Sequence, residues 1–295
     1  MPKVERILCP VDFSEFSVRA YRYSLSLARH YRATLYVQHV AEFWEDPSVG
    51  FAASGGPAEE FVRAFRRNAE EQLQEFVKAE TRGEIQPIPL VEVGIPPDCI
   101  LAFAQAQQIS LIVMGTHGRR GFDRLMLGSV TERVMRKAPC AVLVVRTPSQ
   151  AFISPSGGRD PVHLSRILFC TDFSENSQLA LDHAVSLATE YGAELTLVHV
   201  LEYTSFLPDI EEAEAIALRQ LDEMISTNER EAGKIKPIVR KGTAYEQIIH
   251  LASEMRADVV VMAVRGRGAL DLAVFGSTSY RVMQLGPSPV LAVHV

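Results

Sequence analysis

The stretch from Val113 to Thr131, VMGTHGRRGFDRLMLGSVT, concentrates residues whose types and spacing suit the holding of an anion. Four apolar residues, Leu111-Ile112-Val113-Met114, read as a short buried strand. Gly115 and Gly118 follow, and after nine further residues Gly128-Ser129 opens a helical pattern. Glycines let a backbone come close to a ligand. A helix beginning at Gly128-Ser129 aims free N–H groups, at the positive end of its dipole, at whatever lies above the strand. Strand, glycine loop and helix N-terminus together read as a phosphate cradle. No Lys-Ser or Lys-Thr follows the last glycine, so this is not a Walker loop, and the glycines stand too far apart for the dinucleotide fingerprint. A glycine-rich turn that only joins strand to helix fits the same residues.

A carboxylate in a second place suits the same ligand. Asp12 ends the strand-like segment Arg6–Val11, where it can accept hydrogen bonds from sugar hydroxyls or help to cap the next helix. His117 sits inside the glycine loop in the position of a general base, but the sequence shows no carboxylate partner for it. His39 and His199 each precede the last valine of a strand and read as buried structural residues. Ser156-Gly157-Gly158-Arg159-Asp160 imitates the loop of ATP pyrophosphatases. It is followed by Pro161 and then a strand, where that loop needs a helix, so it reads as a turn.

The elements that must position these residues occur twice. Arg6-Ile7-Leu8-Cys9-Pro10-Val11-Asp12-Phe13-Ser14-Glu15 returns as Arg166-Ile167-Leu168-Phe169-Cys170-Thr171-Asp172-Phe173-Ser174-Glu175. His39-Val40 returns as His199-Val200, Val113-Met114 as Val261-Met262, and Gly128-Ser129 as Gly276-Ser277. The chain is a tandem duplication, with domains at residues 1–147 and 164–295 and a polar Pro/Gly/Ser-rich linker at 148–163. Within the first copy the patterns predict strands at Arg6–Val11, Thr34–Val40, Ile85–Val93, Ser110–Gly115 and Ala141–Val145. Between them fall helices from Ser14 to His30, Ala58 to Ala79, Pro96 to Gln107 and Ser129 to Lys137. The prolines of Ile85–Val93 predict a sheet edge. Strands separated by helices imply an α/β fold with a doubly wound parallel sheet in each copy, and a ligand site at the carboxyl ends of the strands where the winding reverses.

The totals exclude several classes. At 295 residues, 47% hydrophobic and 22% charged, the chain has the makings of two globular domains. A net charge of −6 argues against nucleic-acid binding. No apolar run reaches membrane-spanning length. The start, Met1-Pro2-Lys3, leads into a strand without a signal-peptide pattern, and four cysteines show no disulfide or metal spacing, so a cytoplasmic location is expected.

The segment Ile7–Ser14 and the spacing G-x2-G-x9-G-S resemble the universal stress protein family, and the repeat carries the resemblance across essentially the whole chain, twice. The resemblance implies five-stranded sheets of order 3-2-1-4-5, with ATP lying across the ends of strands 1 and 4. Pro10, Val11 and Val40 would flank the adenine, and Asp12 and Gly115 would face the ribose. Met114, Gly118, Arg119, Gly128, Ser129 and Val130 would line the nucleotide and its phosphates, with Mg2+ or Mn2+ held by the phosphates and not by side chains. It also implies that the two domains pair through their last strands; further pairing of two chains is left open.

In the second copy the corresponding positions are Thr171, Asp172, Val200, Met262, Ala263, Gly266, Gly276, Ser277 and Thr278. Ala263 replaces the first glycine, and Cys170 replaces the proline. A methyl group where the backbone meets ribose is an obstacle, so one tight site, in the first copy, is expected. The expected function is a cytoplasmic stress-response protein that senses or buffers ATP and modulates protein partners, with little or no hydrolysis. The cradle lacks a P-loop lysine and a metal-binding carboxylate pair. A slow ATPase or nucleotidyl-transfer enzyme, and a nucleotide-free interaction or apolar-ligand module, are the alternatives.

Overall fold

The run Arg6–Pro10, RILCP, is short, apolar and almost wholly buried, and it forms β1 at the middle of the first half. The computed structural model describes residues 3–42, 58–81, 85–116, 127–146, 162–202, 210–225, 235–264 and 276–294. After β1 come α1 (Glu15–Tyr31), β2 (Thr34–Ala41), α2 (Ala58–Glu80), β3 (Ile88–Val93), α3 (Pro96–Ala106), β4 (Leu111–Gly115), α4 (Ser129–Lys137) and β5 (Ala141–Val145). The second half repeats the order with β6 (Arg166–Cys170), α5 (Glu175–Tyr191), β7 (Glu194–Leu201), α6 (Ile210–Glu223) and β8 (Ile235–Lys241). It ends with α7 (Ala244–Glu254), β9 (Val259–Ala263), α8 (Ser277–Leu285) and β10 (Val290–Val293).

The strands form one ten-stranded sheet of order β3-β2-β1-β4-β5-β10-β9-β6-β7-β8. Each half has the order 3-2-1-4-5 and is parallel throughout. The halves join where β5 and β10 pair antiparallel, Val142 opposite Ala292, Leu143 opposite Leu291 and Val144 opposite Val290. The two sheets inferred from the sequence are therefore one, closed through their last strands. Every residue of β5 and β10 is buried, and an edge made of AVLVV would invite pairing with another chain.

Two apolar layers cover the sheet. Tyr21, Leu25 and Ala28 of α1, Leu73 of α2, and the matching residues of α5 and α6 pack on one face. Ile100 of α3, Val134 and Met135 of α4, and their counterparts on α7 and α8 pack on the other. Phe65 and Phe76 of α2 pack against the first layer, while the side chain of Phe61 lies outside the described residues. Ser14 caps α1 by accepting from the Ser17 backbone N–H, and Ser174 caps α5 in the same way. At the far ends of these helices the two halves touch again: His30 Nε2 lies 2.6 Å from Glu190 Oε1, and the His30 ring stacks on Tyr191.

Some boundaries differ from the sequence reading. β3 begins at Ile88 and not at Ile85; it stands at the sheet edge, and Pro89 within it turns its nitrogen away from β2, as a strand proline requires. β8 carries Pro237 at the opposite edge. Among the described residues no helix is long and apolar enough to cross a membrane. The linker residues 148–161, with the Ser156–Asp160 turn, lie outside the described residues.

The seam makes the halves depend on one another. Leu143→Ala and Leu291→Ala should each cost about 2–5 kcal/mol. Because the two residues face each other in register, the double variant should depart from additivity by about 0.5 kcal/mol or more in urea denaturation. Strict additivity would mean that the seam is not formed in solution.

Candidate functional site

The winding of the first half reverses between β1 and β4, and the ladder between them stops early. β1 pairs with β2 through Pro10, but with β4 only at Ile7 and Leu8. The cause lies in one atom. The Arg6 carbonyl accepts from Ser110 on the β4 side, so by alternation the residues facing β4 are Arg6, Leu8 and Pro10. The N–H needed to carry the ladder further belongs to Pro10, which has none. In the second half Cys170 occupies that place, and β6 stays paired with β9 from Ile167 to Cys170 opposite Met262. The ladder beside β1 therefore ends earlier in the first half than the matching ladder beside β6 in the second.

The turn after β1 is built tightly. Asp12 Oδ1 accepts from the Ser14 backbone N–H at 3.1 Å and from its hydroxyl at 2.6 Å, so Asp12 braces the residue that caps α1. Phe13 between them adopts a left-handed φ of 65°, a conformation that costs a non-glycine residue of order 1–3 kcal/mol. The ring of Phe13 lies 4.4 Å from that of His39, and His39 Nδ1 donates to the Val11 carbonyl at 2.8 Å. The second half repeats the turn: Asp172 accepts from Ser174 N–H at 3.0 Å, Phe173 has a φ of 60°, and His199 Nδ1 donates to the Thr171 carbonyl at 2.9 Å. Both histidines are structural, as their positions in the sequence suggested, and what they hold is the strained turn that carries the carboxylate. The sequence reading missed Phe13 as a functional residue; its signal was the return of Phe173 beside a returning histidine.

Across the crevice the chain leaves β4 and enters α4. Gly128 donates its N–H to the Thr116 carbonyl at 2.6 Å, and the Thr131 hydroxyl donates to the Gly115 carbonyl at 2.8 Å. These bonds hold the start of α4 at the end of β4. Gly128 is the N-cap, with a φ of −59° and no side-chain cap, so the first N–H groups of α4 lack the usual side-chain acceptor. Gly276 caps α8 alike, with a φ of −60°, and a Cβ there would make only ordinary 3.5 Å contacts with described atoms. Neither backbone angle demands glycine. Ser129 is exposed and Val130 half-buried, as are Ser277 and Thr278 in the second half.

The structure thus brings Pro10, Val11, Asp12, Met114, Gly115, Gly128, Ser129 and Val130 to one end of β1 and β4, with Val40 at the same end of β2. Gly118, Arg119 and Gly266, together with His117, lie outside the described residues. Val200, Met262 and Thr171 hold the matching places in the second half.

One expectation is corrected. A Cβ on Gly115 would come 2.9 Å from the Phe16 Cβ and 3.0 Å from the Phe16 carbonyl oxygen, so the glycine is required by α1. Strand alternation puts Val113 and Gly115 on the α1 face, and likewise Val261 and Ala263 on the α5 face, where Ala263 joins the buried cluster. Its methyl group packs toward the helix layer, where Asn176 stands in place of Phe16. What separates the two halves is the backbone of Pro10 and Cys170.

Cys170 is not a reactive thiol. It is buried, and burial pushes its thiol above the ordinary range. Burial also pushes Cys9 and Cys140 up to about 12, and burial followed by a Glu92 hydrogen bond pushes Cys99 up to about 11. A raised thiol pKa leaves little thiolate at neutral pH. Ellman's reagent at pH 8 should therefore label the native chain slowly, with the rate rising toward pH 11, and should label all four cysteines at once in guanidinium. Fast labelling of Cys9 or Cys170 in the native chain would contradict their burial. Separately, Gly115→Ala should lower stability by about 1–3 kcal/mol in urea denaturation, through overpacking against α1; an unchanged midpoint would show that Phe16 yields freely.

Comparison with known proteins places the chain. The model of the universal stress protein family matches residues 3–146 and again 163–294. Universal stress protein MJ0531 of Methanocaldococcus jannaschii is 35% identical over 147 residues, covering 50% of this chain and 84% of the relative. A universal stress protein of Mycolicibacterium smegmatis is 28% identical over 237 residues, covering 77% of this chain and 76% of the relative. The crystal structure of a universal stress protein from Archaeoglobus fulgidus superposes with a TM-score of 0.65 at 22% identity, over 99% of this chain and 97% of the other, a likeness of fold. With two matches that between them take in nearly every residue, on a sheet built from two equivalent halves, the chain belongs to the universal stress protein family and carries two family units in tandem.

Proposed function

We propose that the chain binds ATP in the crevice between β1 and β4 of its first half, and acts as a stress-response protein by binding nucleotide without turning it over rapidly. The observation that carries this is the early end of the β1–β4 ladder at Pro10 opposite the glycine-capped start of α4. Strand ends released from the ladder can receive a flat base and sugar. The first N–H groups of α4 and the positive end of its dipole face the direction from which phosphates would come. Ser129, exposed in the first turn, adds a hydroxyl donor. The strained Phe13 turn fixes Asp12 beside the sugar position.

Phosphates bound in this way present oxygens to Mg2+ or Mn2+, which neutralises charge and steadies the triphosphate. The chain's own groups bind and orient. A donor array of backbone amides and a hydroxyl, without a P-loop lysine, stabilises the ground state more than the charge that develops in phosphoryl transfer. The role that follows is to sense or buffer ATP in the cytoplasm and to pass its occupancy to protein partners.

Titration calorimetry with Mg-ATP tests the proposal. The wild type should bind, and Gly128→Val should lose at least about tenfold in affinity, equivalent to about 1.4 kcal/mol. A φ of −59° suits valine, so the variant should keep its fold by circular dichroism. Full affinity in a folded Gly128→Val chain would remove the α4 N-terminus from the site. Phosphate release should stay well below about one per second; faster turnover in a clean preparation would make the chain an ATPase. No binding of ATP would leave the nucleotide-free interaction module.

A further inference from the structure

Gln38 is completely buried in β2, and neither its amide nitrogen nor its amide oxygen meets a hydrogen-bond partner among the described residues. Native proteins rarely leave a buried amide so, because the group gives up its water and gains nothing in return. The fold does not ask for it: the matching residue in the second half is Val198, buried in the apolar layer.

The place of the amide suggests what it is for. Alternation along β2 sends Val37 and His39 to the α1 face and Tyr36, Gln38 and Val40 to the other, where Tyr36 and Val40 pack against the α3 and α4 layer. In the sheet Gln38 stands between Pro10 on β1 and Leu90 on β3. Pro10 points to the same face by the same alternation. The amide therefore lies beside Pro10, on the side of β1 away from β4, and one side-chain position inward from Val40.

We propose that Gln38 reads the base in the first site, its amide donating to and accepting from the polar edge of adenine. This rests on the nucleotide reading above. A primary amide carries a donor and an acceptor side by side, which matches the 6-amino group of adenine and the ring nitrogen next to it. Pro10 and Val40 are half-exposed, so the base reaches the amide by moving these two side chains. The cost of holding an unpartnered amide is recovered when the base binds. The second half has Cys170 and Val198 in the corresponding places and offers the base no such edge.

The test compares wild type, Gln38→Val and Gln38→Leu by calorimetry, each titrated with Mg-ATP and with the Mg complex of purine riboside 5′-triphosphate, which lacks only the 6-amino group. Wild type should prefer ATP by at least about tenfold, since a site built around a hydrogen bond rejects the analogue that cannot make it. In both variants the preference should fall to about twofold or less, chiefly by loss of ATP affinity. Without nucleotide the variants should unfold at or above the wild-type temperature, because the orphaned amide is gone. A variant that keeps the wild-type preference overturns the role of Gln38 and leaves the nucleotide site standing. Equal loss of both ligands also overturns it, by making Gln38 a structural residue. A wild type that binds neither ligand rejects the site itself, and the inference with it.

Discussion

A strand in the middle of a parallel sheet must satisfy a row of backbone groups on each side, and β1 does so until its last residue. There the residue facing β4 is a proline, whose nitrogen carries no hydrogen. The ladder between the two strands stops at that point, at the place where the winding of the sheet reverses. What the rest of the first half contributes is arranged around this opening. The strained Phe13 turn stands on one side, held by His39 and by the Asp12–Ser14 hydrogen bonds. The start of α4 stands on the other, pinned to the end of β4 through Thr116 and Thr131. Neither side alone makes a site.

The same fold appears twice because each half needs the other. β5 and β10 are short and entirely apolar, and each has one partner within its own half. Pairing them converts two aggregation-prone edges into the centre of a sheet, and leaves at the outer edges only β3 and β8, each interrupted by a proline. Contacts between the ends of α1 and α5 add to this on one face. The second half is thus retained for structural reasons whatever its own crevice binds, and its site residues are free to drift. Cys170 stands in place of Pro10 and Val198 in place of Gln38, while the turn at Asp172, which the fold uses, is kept.

The glycines show why spacing alone misleads about cause. Gly115 belongs to a pattern that resembles a ligand-binding signature, and a ligand was the natural explanation for it. In the fold its missing Cβ is occupied by Phe16, so the constraint is helix-to-strand packing. Gly276, and by its backbone angle Gly128, are the opposite case: their φ values are ordinary, and at Gly276 the described atoms leave room for a side chain. Where packing does not require a glycine, an external partner becomes the better account.

The sequence by itself determined the duplication, the alternation of strand and helix, the proline-marked edges and the cluster of residues at the strand ends. These are written in local periodicity, in turn chemistry and in similarity between the halves, all of which are properties of neighbouring residues or of direct repetition. It carried the structural role of His39 and His199 as well, since a histidine inside an apolar strand must find a partner. Only the tertiary structure decided which way each residue faces and what it meets there. That Ala263 points to a helix, that the lost N–H of Pro10 faces β4, that Phe13 is held left-handed and that the Gln38 amide is buried without a partner among the described residues all depend on pairing across the sheet. Such pairing joins residues roughly thirty to a hundred positions apart, and no local pattern records the side of a strand on which a distant one will lie.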